Sequence, residues 1–203
     1  MTVRATTHVD TFVLDHLPPR DLWPATDWSA LPELSSLAHL NAAAALLDHW
    51  VESGHGERPS LHHASGTWTY RRLCETANRI AHVLVDDCGL VPGGRVLLRG
   101  ANQPWLVACW FGVLKAGGVA VTTMPLLRQR ELGEIIQKAH VTLAITDAAV
   151  AADLDAAIAG HYGARVVRFN AQGAPGPEAL ESLAAAKQAS FQNVATMAAD
   201  PAI

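Results

Sequence analysis

The sequence has few cysteines, no excess of basic residues and no recognisable metal motif. Its three cysteines, Cys74, Cys88 and Cys109, are odd in number and no two are close in sequence. Neither a disulfide framework nor a zinc site is therefore expected. The formal net charge of −4 disfavours a nucleic-acid partner, because proteins that bind nucleic acids carry a basic face. His62 and His63 are adjacent and would point to opposite faces of a strand, so we expect no metal site.

Long apolar runs and a signal-like start are also missing. The most apolar stretch, residues 105–114, has about half of the roughly 20 residues that a membrane-spanning helix needs. The opening of the chain is polar and contains Asp10 and Asp15, unlike the basic and apolar start of a secretory signal. We therefore expect a cytoplasmic protein with no membrane partner.

The same apolar stretch is the most informative segment present. Pro104 precedes it, and proline is favoured in the first turn of a helix. Lys115 falls in the last turn, where a positive charge suits the helix dipole. The glycine pair at 117–118 can end the helix, and the apolar residues 119–122 then predict a strand. Because this helix is apolar on every side, we expect it to be buried on every side.

The rest of the chain alternates between strand and helix patterns. Such alternation, with short glycine-containing loops, predicts an α/β fold with an open, partly parallel sheet flanked by helices. A hairpin at residues 61–70 is expected to form an antiparallel edge of that sheet. The expected strands are 61–64, 67–70, 95–99, 119–122, 141–146 and 164–169, and the expected helices are 41–54, 70–87, 105–114, 126–139, 148–159 and 178–189. Thr69 and Asp147 are expected to cap the helices that follow them.

Two regions are expected along the chain. Residues 1–36 combine prolines with apolar anchors such as Phe12, Trp23 and Trp28. Disorder goes with few aromatic residues, so this composition predicts an irregular arm pinned to a surface. Residues 37–203 are expected to form an α/β unit that ends in a polar tail.

Two motifs in the α/β unit resemble one enzyme family. The first is LKAGGVAV at residues 114–121, followed by Pro125. The second is the Thr-Tyr pair at 69–70 with Leu73, followed by the Ala-Asn-Arg of residues 77–79. In this order the motifs resemble the adenylate-forming, or AMP-binding, superfamily of acyl-CoA and aryl-CoA ligases. The resemblance implies the first, α/β subdomain of that fold.

The opening arm narrows the resemblance. Asp10 and Phe12, the Leu-Pro-Pro of residues 17–19 and the Trp-Pro of residues 23–24 are similar to the start of 2-aminobenzoate-CoA and benzoate-CoA ligases. The segment VTTMPLLRQREL at residues 121–132 is similar to that subgroup as well. The resemblance implies that an aromatic carboxylic acid reacts with ATP to give an acyl-adenylate, which coenzyme A converts to a thioester. ATP, Mg²⁺ and coenzyme A are implied for the complete enzyme.

The motifs that would carry this chemistry are not in the sequence. The phosphate-binding loop, the ribose-binding aspartate and the late catalytic lysine of the family have no counterparts here. The Asp-Pro-Ala of residues 200–202 resembles the family stretch just before the phosphate loop. We therefore expect the chain to be the N-terminal portion of a longer ligase, with the remainder of its own chain as a partner and a homodimer as a further option. No catalytic residue is assigned.

One binding site is predicted from the residues present. Arg128 and Arg130 open the helix after Pro125, and arginine is well shaped to bind phosphate. We predict that they contact the phosphates of coenzyme A. The alternative is a solvated helix face, which is the commoner meaning of charged residues on a helix.

Two other functions stay open at this point. The chain could be a stand-alone, non-catalytic α/β binding module that uses the family's first subdomain. It could also be an inactive truncated relic. A sheet that exposes an unpaired edge or an uncovered apolar face would favour a piece of a larger enzyme or a truncated relic over a self-contained module.

Overall fold

The computed structural model describes residues 5–25, 37–159, 164–170 and 179–203. Four parallel strands form an open sheet in the order β4-β3-β5-β6, which confirms the predicted α/β class. The predicted arm is described for residues 5–25 alone, so Trp28 lies outside the described residues. The strands are β1 Pro59–His63, β2 Gly66–Thr69, β3 Arg95–Arg99, β4 Val119–Thr123, β5 Leu143–Asp147 and β6 Arg165–Phe169.

The helices follow the predicted pattern with shifted ends. Thr69 caps α3 through its Oγ1, which accepts a hydrogen bond from the Arg72 amide at 3.2 Å. The predicted last helix is shorter than expected, since its α-helical part ends at Ala185. The helices are α1 Phe12–Asp15, α2 at 42–55 with π-helical turns at Ala44–Asp48 and Val51–His55, α3 Tyr70–His82 extended by a π-helical turn at Val83–Asp87, α4 Pro104–Lys115, α5 Gln129–Ala139, α6 Ala152–Ile158 and α7 Leu180–Ala185. In the described ranges, no helix has the length and apolar content to cross a bilayer.

Helices cover both faces of the sheet. On β3, Val96 and Leu98 pack toward α3 and α4, whereas Leu97 between them packs toward α5 and α6. All five residues of β3 are buried, as expected for a central strand of a parallel sheet. Glycine lets α3 and α4 pack closely, because a Cβ at Gly112 would lie 2.7 Å from a methyl carbon of Ile80.

The hairpin prediction is wrong in its placement. β1 and β2 pair antiparallel as predicted, but they form a separate two-stranded sheet and not an edge of the main sheet. β2 leads directly into α3, and this connection keeps the hairpin next to α3. Trp68 of β2 is 5% exposed, and its ring packs edge-on against Trp105 at 6.1 Å. The hairpin therefore covers the start of α4.

The expectation that α4 is buried on every side is also wrong. Its inner side is buried, but five residues on its outer side are only half-buried: Trp105, Leu106, Val107, Trp110 and Phe111. The uncovered side forms an open apolar cavity of about 370 Å³ next to β4. The cavity is lined by Leu98, Leu106, Val107, Trp110, Phe111 and Thr122. An apolar helix needs an apolar cover, and the described residues leave this side without one.

Lys115 at the end of α4 is buried, with 1% of its surface exposed. Its ammonium group forms an ion pair with Asp48 of α2. The same carboxylate accepts hydrogen bonds from Asn193 Nδ2 at 2.5 Å and from Cys74 Sγ at 3.1 Å. Burial tends to raise the pKa of Asp48, but the hydrogen bonds from Lys115, Asn193 and Cys74 outweigh it and hold the pKa below the ordinary value. The Asp48 carboxylate therefore stays charged, and its contact with Lys115 connects α2 to α4.

The predicted polar tail is part of a segment without helix or strand, residues 186–203, which we call the strap. Side chains of the core hold its backbone carbonyls. Asn78 Nδ2 donates to the Ala189 oxygen at 2.7 Å, and Asn41 Nδ2 donates to the Val194 oxygen at 3.0 Å. At the end of the strap the Ala120 amide of β4 donates to the Ala202 oxygen at 2.9 Å. The strap thus crosses the helices and reaches the edge of the sheet.

The arm and the strap are joined by one carboxylate. Asp200 accepts hydrogen bonds from Thr6 Oγ1 at 2.6 Å and from Thr7 Oγ1 at 2.8 Å. Further along the arm, Asp10 forms an ion pair with Arg95 of β3, and Phe12 stacks on His140 with ring centroids 4.4 Å apart. The described part of the arm is therefore attached to the α/β unit by polar and aromatic contacts.

We predict that Lys115→Met lowers the free energy of unfolding by about 3 kcal/mol or more, because removing one partner leaves a buried charge unpaired. The double variant Lys115→Met with Asp48→Asn is expected to recover much of this loss, since no buried charge remains. Lys187→Met, which removes an ion pair near the surface with Asp87, is the control and should cost far less. Urea unfolding of each variant measures these differences. A single Lys115 variant as stable as the control would contradict the role given to the pair.

Candidate functional site

The carboxyl ends of the four strands meet at one edge of the sheet. The register aligns Arg99 with Thr123 and with Thr146, and Asp147 with Phe169. In open parallel sheets, ligands bind outside this edge, where the loops leave the strands. The candidate site is therefore built from the segments that follow β3, β4 and β5 and lead into α4, α5 and α6.

A polar cluster closes part of this edge. Asp147 is 6% exposed; its Oδ1 accepts from the Ala149 amide at 2.9 Å, as predicted for a helix cap. Its Oδ2 accepts from Gln103 Nε2 at 2.5 Å and from Asn170 Nδ2 at 3.3 Å. Asn170 has a φ of 54°, in the left-handed region that asparagine tolerates better than most residues. The cluster ties the ends of β3, β5 and β6 together, and its groups bond mainly to each other.

Sequence reasoning found one member of this cluster and missed the other two. Asp147 was recognisable as a residue between a strand and a helix. Gln103 and Asn170 lie 44 and 23 residues from Asp147, and a local pattern contains no sign of such pairings. Their signal is positional: each is a polar residue just after a strand of a parallel sheet.

The structure brings both predicted arginines to one groove. Arg128 is the residue before α5, Arg130 is its second residue, and both line an open groove of about 930 Å³ between α5 and α6. We call this the arginine groove. It is lined by Arg128, Gln129, Arg130, Gly133, Asp153, Ala156, Ala157 and Ala159. Its alanines and its glycine carry no bulky side chain, which leaves the groove open.

Each arginine in the groove has a carboxylate partner. Arg128 Nη1 lies 3.1 Å from an oxygen of Asp153, and Arg130 Nε lies 3.2 Å from an oxygen of Glu134. The arginine side chains are 75% and 87% exposed. Exposed ion pairs of this kind contribute little to stability, so an anionic ligand with several phosphate oxygens can replace the carboxylates. The assignment of these arginines to coenzyme A stays a prediction.

The cysteines offer no nucleophile. Burial raises the pKa of the Cys74 thiol to about 12, and burial also raises the pKa of Cys88 and of Cys109. A thiolate is the reactive form, so all three thiols stay protonated and unreactive at neutral pH. In the described part of the chain, no group of three or more histidine, cysteine, aspartate and glutamate side chains could hold a metal ion. Mg²⁺ that is held mainly by substrate phosphates needs only one or two carboxylates, so Mg²⁺ stays a prediction for the complete enzyme.

Comparison with known proteins gives a consistent result. A family profile described as AMP-binding enzyme matches residues 47–203. The chain is 32% identical over 116 residues to the 3-hydroxybenzoate--CoA/4-hydroxybenzoate--CoA ligase of Thauera aromatica. This alignment covers 57% of this chain and 22% of that ligase. The chain is also 33% identical over 131 residues to the mitochondrial acyl-coenzyme A synthetase ACSM5 of Rattus norvegicus. That alignment covers 58% of this chain and 22% of the synthetase.

Solved structures share the fold. The crystal structure of the anthranilate CoA ligase AuaEII in complex with anthranoyl-AMP superposes with a TM-score of 0.73 at 17% identity, over 81% of this chain and 32% of that chain. A benzoate CoA ligase from Burkholderia xenovorans LB400 superposes with a TM-score of 0.64 at 23% identity, over 79% of this chain and 30% of that chain. The chain thus spans about a third of the solved chains and about a fifth of the two curated relatives.

Proposed function

The chain belongs to the family of AMP-binding enzymes, and we propose that it is the N-terminal part of an ATP-dependent CoA ligase for an aromatic carboxylic acid. The observation that carries the proposal is the match of residues 47–203 to the family, on a fold shared with aryl-CoA ligases. The proposed location is the cytoplasm, where ATP and coenzyme A are available. Homodimer formation stays a prediction.

The proposed reaction has two steps. A carboxylate oxygen of the acid attacks the α-phosphorus of ATP, which forms the acyl-adenylate and releases pyrophosphate. The sulfur of coenzyme A then attacks the acyl carbon, which forms the thioester and releases AMP. Reactions of this kind depend on positioning and on neutralising phosphate charge. The described residues supply the frame for both steps, and the arginine groove supplies positive charge for the phosphates of coenzyme A.

Two surfaces support a larger protein around this chain. The open apolar cavity beside α4 exposes aromatic side chains that a complete domain would cover. Near it, Met124 is 62% exposed and Leu126 is 76% exposed. The strap bonds to β4 through the backbone oxygen of Ala202 alone, and β4 is an edge strand of the described sheet. These observations favour a ligase segment over the self-contained binding module.

The aromatic preference rests on similarity. One relative is named as a hydroxybenzoate-CoA ligase, and two of the fold neighbours are an anthranilate and a benzoate CoA ligase. The arm, with Phe12 packed on the α/β unit, carries the sequence pattern that resembles this subgroup. We therefore propose benzoate or 2-aminobenzoate as the acid.

We predict that the intact protein containing this chain forms AMP from ATP only when an acid and coenzyme A are both supplied. Benzoate and 2-aminobenzoate should give the highest kcat/KM in a panel that also contains acetate, hexanoate and phenylacetate. Coupled measurement of AMP release gives these values. Equal or better turnover of the aliphatic acids would overturn the aromatic assignment, and the absence of AMP with every acid would overturn the ligase assignment.

We predict that reversing both charges, Arg128→Glu with Arg130→Glu, raises the KM for coenzyme A roughly tenfold or more. Each lost charge-assisted contact is worth on the order of 1.5 kcal/mol or more, and 1.4 kcal/mol corresponds to a factor of about ten. The KM values for ATP and for the acid should not change. Arg71→Glu is the matched control, since Arg71 is also exposed and paired with a carboxylate, that of Glu57. A KM for coenzyme A that matches this control would show that the groove is a solvated helix face.

A further inference from the structure

Arg99 is a buried arginine whose described hydrogen bonds all go to the backbone. It ends β3, and 1% of its surface is exposed. Its Nε donates to the Val150 oxygen at 3.0 Å, and its Nη1 donates to the Met124 oxygen at 2.8 Å. Its Nη2 donates to the oxygens of Pro125 and Leu127, both at 2.9 Å. A buried cation usually pairs with a carboxylate, so four carbonyl acceptors mark an unusual use of the charge.

The carbonyls that Arg99 binds belong to two separate segments. Met124, Pro125 and Leu127 form the turn between β4 and α5, and this turn ends at Arg128. Val150 ends the short 3₁₀ turn between β5 and α6, and Asp153 follows it in the first turn of α6. Arg128 and Asp153 lie on the two sides of the arginine groove and pair across it. One guanidinium group therefore fixes the backbone on both sides of the groove.

Arginine suits this position for a geometric reason. Its guanidinium is a rigid plane with five N–H donors that point in different directions. This one side chain therefore reaches all four acceptors described above. A lysine ammonium has three donors around a single nitrogen, so it cannot reach the turn before α5 and the turn before α6 with the same spacing.

The charge of Arg99 is coupled to the groove. Burial lowers the pKa of Arg99, the negative charge of Asp153 raises it, and the positive charge of Arg128 lowers it. Asp153 and Arg128 are thus close enough to act on Arg99 electrostatically. A fixed positive charge close to Arg128 and Asp153 also makes the groove more favourable for an anion.

We propose that Arg99 is a positioning residue for coenzyme A: by binding the carbonyls on both sides of the arginine groove, it sets the spacing between Arg128 and the start of α6. The inference rests on the proposed function, since it assigns the groove to the phosphates of coenzyme A. Arg99 does not contact the ligand itself. Loss of the guanidinium loosens the turn that places Arg128, and this weakens phosphate binding while the chemical steps continue.

The test is Arg99→Lys in the intact ligase that contains this chain. The KM for coenzyme A should rise about tenfold, whereas kcat and the KM values for ATP and for the acid stay within a factor of about two. Arg95→Lys is the matched control: Arg95 is 5% exposed, lies on the same strand and bonds the carbonyls of Ala139 and His140. It lies at the amino end of β3, away from the groove, so Arg95→Lys should lower stability without changing the KM for coenzyme A.

The results separate this inference from the proposed function. If the double reversal at Arg128 and Arg130 raises the KM for coenzyme A and Arg99→Lys does not, the inference about Arg99 is wrong and the groove assignment stands. If neither changes that KM, the groove assignment is wrong. If Arg99→Lys and Arg95→Lys raise it equally, Arg99 has only a general structural role.

A measurement on the unmodified ligase covers the case in which Arg99→Lys does not fold. Amide hydrogen exchange is followed with and without added coenzyme A. The inference predicts that coenzyme A slows exchange in residues 124–128 and in residues 148–150 together, because one guanidinium joins the two segments. Slowing confined to α5 would contradict it.

Discussion

The buried ion pair between Lys115 and Asp48 is the contact on which the arrangement of the helices depends. Removing two charges from water is unfavourable unless each finds close partners, and this pair is satisfied only when α2, α4 and the strap are all in place. Asn193 of the strap bonds the same carboxylate. Asn41, just before α2, donates to the carbonyl of Leu114 at 2.8 Å. The position of α4, and with it the packing of the sheet, follows from these contacts.

Buried charged side chains also hold both ends of β3 in place, here by hydrogen bonds to backbone carbonyls. Arg95 at the amino end binds carbonyls at the end of α5, and Arg99 at the carboxyl end binds carbonyls before α5 and before α6. β3 therefore holds the connections of the sheet through buried guanidinium groups. Carbonyl acceptors are available at every residue, so such anchors can stabilise turns whose own sequences carry little preference. At the carboxyl end this fixes the walls of the arginine groove.

Much of the fold could be predicted from the sequence because it follows from local patterns. The apolar stretch before Gly117, the cap at Thr69 and the cap at Asp147 each needed only a few neighbouring residues. The errors came from long-range packing: the hairpin turned toward α4 instead of joining the sheet, and one side of α4 lacks a cover among the described residues. The strap was missed because its carbonyls bond to distant side chains and its sequence has no periodicity. The two groove arginines were predicted, whereas Arg99 was not, because backbone acceptors leave no trace in the sequence.

We propose that this chain is one segment of a larger ligase, with a groove for coenzyme A and with the adenylating groups in the rest of that ligase. The intact mass of the native protein from its source, combined with peptide mapping, tests this claim most directly. We expect a mass far above the 21.6 kDa of the 203 residues, with peptides continuous beyond Ile203. A native mass of 21.6 kDa would contradict it and would favour the binding module or the inactive relic.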